Sequence, residues 1–321
     1  MLRLNSQQQQ YLVNARMAFN HGQRQLHGNA EGLPADFWKQ IDMDVGMVQR
    51  DILAVFNDLA ASVSRPMPIG IPVSEFLVAS DGGQLNVSMD GISDGTPDTA
   101  EYAHYNTPVP IYSSPFRYGW RAVQGASTKG LSLDMAPRDS SLRRIAEGQE
   151  DMVLNGNSKI VVNGQQMWGL RNHPNRTSSS MGVALNGATG PQWVEEVTAL
   201  IQSLHDQNFY APVTIYVNYA DWFYASNTDF STQYPNKTIL QRVMEIAGVQ
   251  AIVPGSKVPA SEMIGVVKRT DVLQLLSAMP SSVLPKFRAN IHDDYQFVAA
   301  SAVGLQIRFD YEDQCGVAHR A

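Results

Sequence analysis

A helix that stops at one Asn-Gly pair and is followed at once by another leaves the middle of this chain few ways to fold. Pro137-Arg138-Asp139-Ser140 opens the helix, in which Leu142, Ile145, Ala146, Gln149, Met152 and Val153 recur at three- and four-residue spacing. It is predicted to stop at Asn155-Gly156, a pair that tolerates the left-handed conformation past a last turn. Directly afterwards, Ile160-Val161-Val162-Asn163-Gly164-Gln165-Gln166-Met167-Trp168 reads as a hairpin around a type I′ turn.

Three amphipathic helical stretches precede this unit. The first uses Leu12, Ala15 and Phe19, the second Phe37, Ile41, Val45 and Val48, and the third Ile52, Val55, Phe56 and Leu59. They read as an arm more than a domain, because nothing beside them supplies a second layer. Residues 65–120 are β-prone, with strands expected at Phe76–Ala79, Leu85–Met89, Val109–Tyr112 and Phe116–Trp120 around a long polar tip from Asp90 to Asn106. Between Pro66 and Ser113 stand six acids (Glu75, Asp81, Asp90, Asp94, Asp98 and Glu101) and no Lys or Arg. From residue 189 helix and strand alternate. Helices are expected from Thr189, over Tyr219–Ala225, from Asn236 to Gly248 and over Asp271–Ala278; strands are expected at Val213–Val217, Ala251–Val253, Ile264–Val267, Tyr295–Ala300 and Leu305–Tyr311. This is an α+β mixture and not a doubly wound sheet.

Composition and motifs then remove the common functions. With 24 Lys and Arg against 30 Asp and Glu, the net charge of -6 argues against a surface built mainly to grip nucleic acid. One cysteine, Cys315, leaves no intramolecular disulfide framework and no Cys-rich metal site. The first residues, MLRLNSQQQQYLV, lack the apolar core of a signal peptide, and no stretch reaches a membrane-spanning length, so a soluble chain is expected. Neither a phosphate-binding Gly loop, a dinucleotide fingerprint, a zincin pair nor a nucleophile elbow occurs, and the seven His show no metal-ligand spacing. No cofactor is expected. Asp293 and Asp294 beside His292 form the best acidic cluster, and a cytosolic α/β enzyme acting through them is the competing reading from another class. Glu147, Glu150 and Asp151 read as a solvated helix face. Trp193, Tyr216, Tyr219, Trp222, Phe223 and Tyr224 lack interleaved bases and read as core.

The order of these pieces resembles the major capsid proteins of tailed bacteriophages, the Hong-Kong-phage capsid fold that encapsulins share. Pro108-Val109-Pro110-Ile111 to Pro115-Phe116-Arg117 is similar to the returning strand of that family's extended loop. Glu147 to Gly156 is similar to the end of its spine helix, and Met167-Trp168-Gly169-Leu170-Arg171-Asn172 to its G-[IL]-x-N hairpin. Thr214-Ile215-Tyr216-Val217-Asn218, with Trp222 after it, looks like its apical strand and helix.

The resemblance implies an N-terminal helical arm (1–65), an extended β-hairpin loop (66–125), and a peripheral domain with spine helix and Asn-Gly hairpin (126–189). An α/β apical domain (190–285) and returning peripheral strands (286–321) complete it. It implies a non-enzymatic shell subunit that self-associates into pentamers and hexamers around double-stranded DNA, with scaffolding, portal and possible decoration proteins as partners and no membrane. The place implied is the virion, assembled in host cytoplasm, and the runner-up is an encapsulin-type compartment. The base-free acidic loop needs cationic partners, which a subunit contact supplies: Asp94, Asp98 and Glu101 are expected to meet Arg138, Arg143 and Arg144 of a neighbour. Residues 66–128 contain no lysine, so Lys–Asn cross-linking from the loop is not expected.

Overall fold

The computed structural model describes residues 54–82, 87, 89, 99–129, 135–231 and 233–321. The two helical stretches expected before residue 50, the Leu85–Met89 strand apart from Val87 and Met89, and the acids Asp94 and Asp98 lie outside them. The described residues fall into two compact units, one drawn from Ser113–Arg144 and Ser281–Ala300, the other from residues 54–112, Ile145–Pro280 and Ser301–Ala321.

The chain runs through α1 (Ala54–Val63), β1 (Ser64–Pro66), a ribbon of β2 (Val73–Ala79) and β3 (Tyr102–Pro108), then β4 (Ile111–Tyr118) and α2 (Trp120–Lys129). The long helix α3 (Ala136–Asn155) and the hairpin β5 (Asn157–Val162) and β6 (Gln165–Met167) follow, then β7 (Thr177–Ser179) and α4 (Gly190–His205). Next come β8 (Val213–Asn218), α5 (Tyr219–Asn227), β9 (Asp229–Ser231), β10 (Tyr234–Thr238), α6 (Ile239–Met244), β11 (Val249–Gly255) and β12 (Met263–Val267). Two 13-residue strands, β13 (Leu273–Pro285) and β14 (Tyr295–Ile307), and β15 (Val317–Arg320) end it. No described helix is long and apolar enough to cross a membrane.

The helix and hairpin form where the spacing puts them. Asn163 and Gly164 both take positive φ, 51° and 77°, as a type I′ turn requires. Gly156 ends α3 at φ 63°, and a Cβ there would sit 2.3 Å from the Met167 carbonyl. A Cβ on Gly169 would meet the Leu154 carbonyl oxygen at 2.5 Å. These two glycines let the hairpin close against the helix end, where Leu170 and Arg171 donate backbone N–H to the otherwise orphaned carbonyls of Val153 and Leu154, both at 2.9 Å. Asn172 completes the joint by accepting from the Gly169 N–H at 2.8 Å and donating to the Asn155 carbonyl.

In the larger unit the core has two parts. One joins Val55, Leu59 and Val63 of α1 to Met152, Val153 and Leu154 of α3 and to Leu273, Leu275, Val303 and Leu305. The other lays Trp193, Val197, Leu200 and Leu204 of α4 on Val213, Ile215, Val217, Met263 and Val267. Burying each such aliphatic side chain contributes about 1.5–3 kcal/mol. The sheet beneath α4 has the order β11-β8-β12-β15-β7. Its β8 and β11 are parallel, while β12 runs antiparallel to both β8 and β15. A second sheet has the order β1-β13-β14-β4.

Several elements differ from the sequence expectation: the short strands β1, β7, β9, β10 and β15 are absent from it, and β4 is one strand where two were expected. Asp271–Ala278 is not a helix: Leu273, Gln274, Leu275 and Leu276 are all buried, so both strand faces are covered and no alternation marks the period. Tyr295–Ile307 is one strand, not two. Ser301 breaks its apolar pattern yet is buried, accepting from Gln149 at 2.7 Å and donating to the Met279 carbonyl at 3.3 Å. Helix α2 has no counterpart in the sequence expectation, which runs the preceding strand on to Trp120, where the helix begins. Helix α6 starts after Thr238, whose hydroxyl accepts from the Gln241 N–H, and Asn236 lies in β10.

Candidate inter-subunit surfaces

In the ribbon β2 alternates with period two, whereas β3 grades from exposed at Tyr102 to buried at Thr107 and Pro108. The ribbon's register runs from Val73 opposite Pro108 to Ala79 opposite Tyr102, which sends Phe76 and Tyr105 to one face and Glu75, Leu77, Tyr102 and His104 to the other. Phe76 stacks on Tyr105 with centroids 5.6 Å apart, and Phe309 meets both rings edge-on. The opposite face leaves Leu77 and Tyr102 exposed. Glu101, also exposed, stands where the ribbon ends; its backbone N–H donates to the Ser80 hydroxyl and its carbonyl accepts from the Ser80 N–H, both at 2.8 Å.

The three arginines expected to meet the loop acids are placed differently from one another. Leu142 of α3 is buried, and Arg143 and Arg144 beside it are exposed. Arg138 is only 2% exposed, and its guanidinium donates to Asp139 at 2.9 and 2.7 Å. Its charge is therefore engaged within its own chain. The aromatic set also divides. Trp193 and Tyr216 are core, whereas Tyr219 and Phe223, four residues apart on α5, are each 56% exposed, with Met244 exposed on α6. A single helix thus leaves two large rings exposed among the described residues, the beginning of an apolar patch.

Asp293 and Asp294 do not converge. Asp293 accepts from the Asn290 N–H at 2.8 Å, closing a tight turn, and that bond holds its carboxyl below the usual range. Asp294 accepts from the Trp120 N–H at 3.3 Å and pairs with Arg117 at 3.6 Å, while the His292 ring lies against Trp120. Each carboxylate is occupied by local structure, and among the described residues no group of His, Cys, Asp or Glu has the geometry of a metal site.

Sequence reasoning missed the buried carboxylates of the larger unit. Glu150 is not on a solvated face: it is fully buried and accepts the N–H of Val55 at 3.1 Å and of Phe56 at 2.9 Å, the first turn of α1. Burial raises its carboxyl pKa, and the two N–H bonds oppose the rise. From the other side, Asp58 of α1 accepts from the Tyr216 hydroxyl at 2.6 Å and pairs with Lys268 at 2.9 Å. Two carboxylates therefore fix α1, Glu150 at its first turn and its own Asp58 one turn further on. Further along, Arg171 donates to both oxygens of Glu262 at 2.8 Å, and His319 Nε2 reaches the same carboxylate at 3.0 Å. Burial works to raise Glu262, but the bonds from Arg171 and His319 outweigh it and hold the carboxyl low. Burial lowers the His319 imidazole although Glu262 works to raise it, and the buried Nδ1 has no hydrogen-bond partner among the described residues. The 3–4 spacing of α3 was the one visible signal for Glu150, since that position falls beside Gln149 and Val153 on the buried stripe.

A long helix closed by an Asn-Gly hairpin, a two-stranded ribbon and an α/β unit over a mixed five-stranded sheet are the parts of the tailed-phage capsid fold, and most of the chain superposes on solved examples of it. The capsid of Myoviridae phage XM1 matches with a TM-score of 0.66 over 84% of this chain and 91% of that one, at 14% identity. A virus-like particle from Pyrococcus furiosus matches with a TM-score of 0.60 over 89% of this chain and all of that one, at 12% identity. A Mycobacterium phage Che8 chain gives 0.56 over 83% and 90%, also at 12% identity. The protein thus has the Hong-Kong-phage capsid fold. By sequence it belongs to the family of unknown function DUF6260, matched over residues 28–320. No curated protein matches it in sequence.

Proposed function

We propose that this chain is the major capsid protein of a tailed phage: a structural, non-catalytic subunit that assembles into the icosahedral head around double-stranded DNA. The observation that carries the reading is agreement with a capsid subunit over nearly the full length of both chains, 84% and 91%. The division into arm (1–65), extended loop (66–125), peripheral domain (126–189), apical domain (190–285) and returning strands (286–321) belongs to the same proposal. So do scaffolding and portal proteins, a decoration protein, packaged DNA, and a virion component assembled in host cytoplasm.

Subunits would join through two surfaces. The ribbon and its acids lie over a neighbour, with Asp94, Asp98 and Glu101 meeting Arg143 and Arg144; Arg138 supports that helix through Asp139. The exposed rings of α5 meet their counterparts around the capsomer axis. Individually such rim contacts are worth only about 0–1 kcal/mol, but repetition in a closed shell multiplies them. Sedimentation velocity and negative-stain microscopy of the purified chain test the reading: closed particles support it, and a monodisperse small oligomer overturns it. A protein-filled compartment of the encapsulin kind is the second reading, less supported than the first: the virus-like particle chain from Pyrococcus furiosus matches at a TM-score of 0.60 against 0.66 for the phage capsid. Nuclease-protected DNA in particles from infected cells separates head from compartment.

A further inference from the structure

We propose that Asn163–Gly164, at the tip of the β5–β6 hairpin, is a site of spontaneous imide formation at which the chain converts Asn163 to aspartate and isoaspartate. The inference does not depend on the shell reading. The sequence holds three Asn-Gly pairs, at 155–156, 163–164 and 186–187, and a glycine after asparagine leaves the peptide nitrogen unshielded by any Cβ. In the reaction the Gly164 nitrogen gives its proton to solvent base and attacks Asn163 Cγ. The new C–N bond closes a five-membered ring, the Cγ–Nδ2 bond breaks, and the amide leaves as ammonia with a proton from water. Water then reopens the ring at one carbonyl or the other, which yields aspartate or isoaspartate. Ring closure therefore needs a free asparagine side chain, a free glycine N–H and a peptide able to rotate between them.

The three pairs meet these needs unequally. At 155–156 the asparagine amide is held from both ends: Nδ2 donates to Asp151 at 2.6 Å, and Oδ1 accepts from Arg171 at 2.5 Å. The Gly156 N–H donates to the Met152 carbonyl at 2.9 Å, so neither reacting group is available. At 186–187 both residues are exposed, but the Ala188 N–H closes the turn on the Leu185 carbonyl at 3.3 Å. The flanks of that turn are buried and tied down: Leu185 donates to the Ser261 hydroxyl and accepts from the Trp193 indole, and Ala188 accepts from the Tyr224 hydroxyl. At 163–164 both residues are exposed, and among the described residues neither the Asn163 side chain nor the Gly164 N–H has a hydrogen-bond partner. A Cβ on Gly164 would meet nothing within 4 Å, and the flanking Val161 is 55% exposed. Strand pairing of Val162 with Gln165 is what holds this turn, so its peptide rotates toward the ring geometry at the least cost. An isoaspartate there adds one carbon to the main chain of a two-residue turn and should unpair Val162 from Gln165.

The test incubates the folded full-length chain at mildly alkaline pH beside the same chain unfolded in urea. Peptide mass spectrometry follows each asparagine, with isoaspartate assigned by electron-transfer fragmentation. In urea the three pairs should convert at similar rates. In the folded chain Asn163 should convert at least tenfold faster than Asn155 and at least threefold faster than Asn186, with isoaspartate as the major product. Gly164→Ala, whose Cβ shields the nitrogen, should slow conversion of Asn163 at least fivefold and leave Asn186 unchanged. The proposal is overturned if Asn163 stays intact in the folded chain while the unfolded chain converts, or if Asn155 or Asn186 converts first. It is equally overturned if Asn163 yields aspartate without isoaspartate, the product of direct hydrolysis, or if Gly164→Ala leaves its rate unchanged.

Discussion

At the scale of single residues, the buried titratable groups carry the sharpest expectations. Glu150→Ala removes the acceptor of two buried N–H groups at the start of α1, and leaving such donors unpaired costs about 1–3 kcal/mol each. The net loss in urea unfolding of free subunits should be about 2 kcal/mol, because the cost of burying the carboxylate disappears with it. Glu150→Gln, which keeps an acceptor, should lose less. His173 predicts a pH dependence. Burial, helped by Arg176, lowers its imidazole from 6.5 to about 4, and its Nδ1 accepts from the Asn175 N–H as a neutral ring does. The unfolded chain therefore takes up this proton below pH 6.5 and the native one only near pH 4. Stability from this group is full above 6.5 and is lost as pH falls toward 4, a change on the order of 3 kcal/mol. Replacing His173 with Gln should flatten that slope in melts between pH 4 and 7.

Among the elements, the joint between α3 and the β5–β6 hairpin is where sequence and structure agree most closely. Two glycines there predict opposite tolerances. Gly164→Ala meets nothing within 4 Å and strains only the backbone, at about 1–2 kcal/mol. Gly169→Ala drives a Cβ to 2.5 Å from the Leu154 carbonyl and should unseat the hairpin, so the chain should be recovered insoluble or with a melting temperature far below that of the Gly164 variant. This joint was legible because its signals are local: a periodic stripe, a left-handed stop and a type I′ turn. The misread strands were not. In β13 the run Leu273-Gln274-Leu275-Leu276 is covered on both sides by partners distant in sequence, and no local pattern records a second covering layer. The site was legible to the same degree. That at least one of Arg143 and Arg144 points outward followed from their place between Leu142 and Ile145, and both do, but the capture of Arg138 by Asp139 and the inward turn of Glu150 depend on tertiary surroundings. Tyr219 and Phe223 were read as core because aromatic residues usually are, and only tertiary placement shows their rings in solvent.

Under the proposed function the whole molecule is one tile of a shell, and its charge pattern is expected to govern how tiles meet. Six acids without a base between Pro66 and Ser113 repel one another until a cationic surface covers them. Arg143→Glu combined with Arg144→Glu should block assembly at physiological salt, and Asp94→Lys with Asp98→Lys should partly restore it, as read by sedimentation. Assembly of the double arginine variant at the wild-type rate would refute the pairing. With no lysine in residues 66–128, boiled particles should run as a single band near 35.4 kDa, and a covalent ladder would show that another donor cross-links them. Most directly, electron cryomicroscopy of the purified, concentrated chain tests whether it builds a shell at all. The account predicts closed particles of five- and six-fold capsomers, with the Tyr219–Phe223 face at the capsomer axes and the β2–β3 ribbon laid across a neighbouring subunit. A chain that remains monomeric or forms only a small fixed oligomer, across the salt and concentration range in which it stays folded, would contradict it.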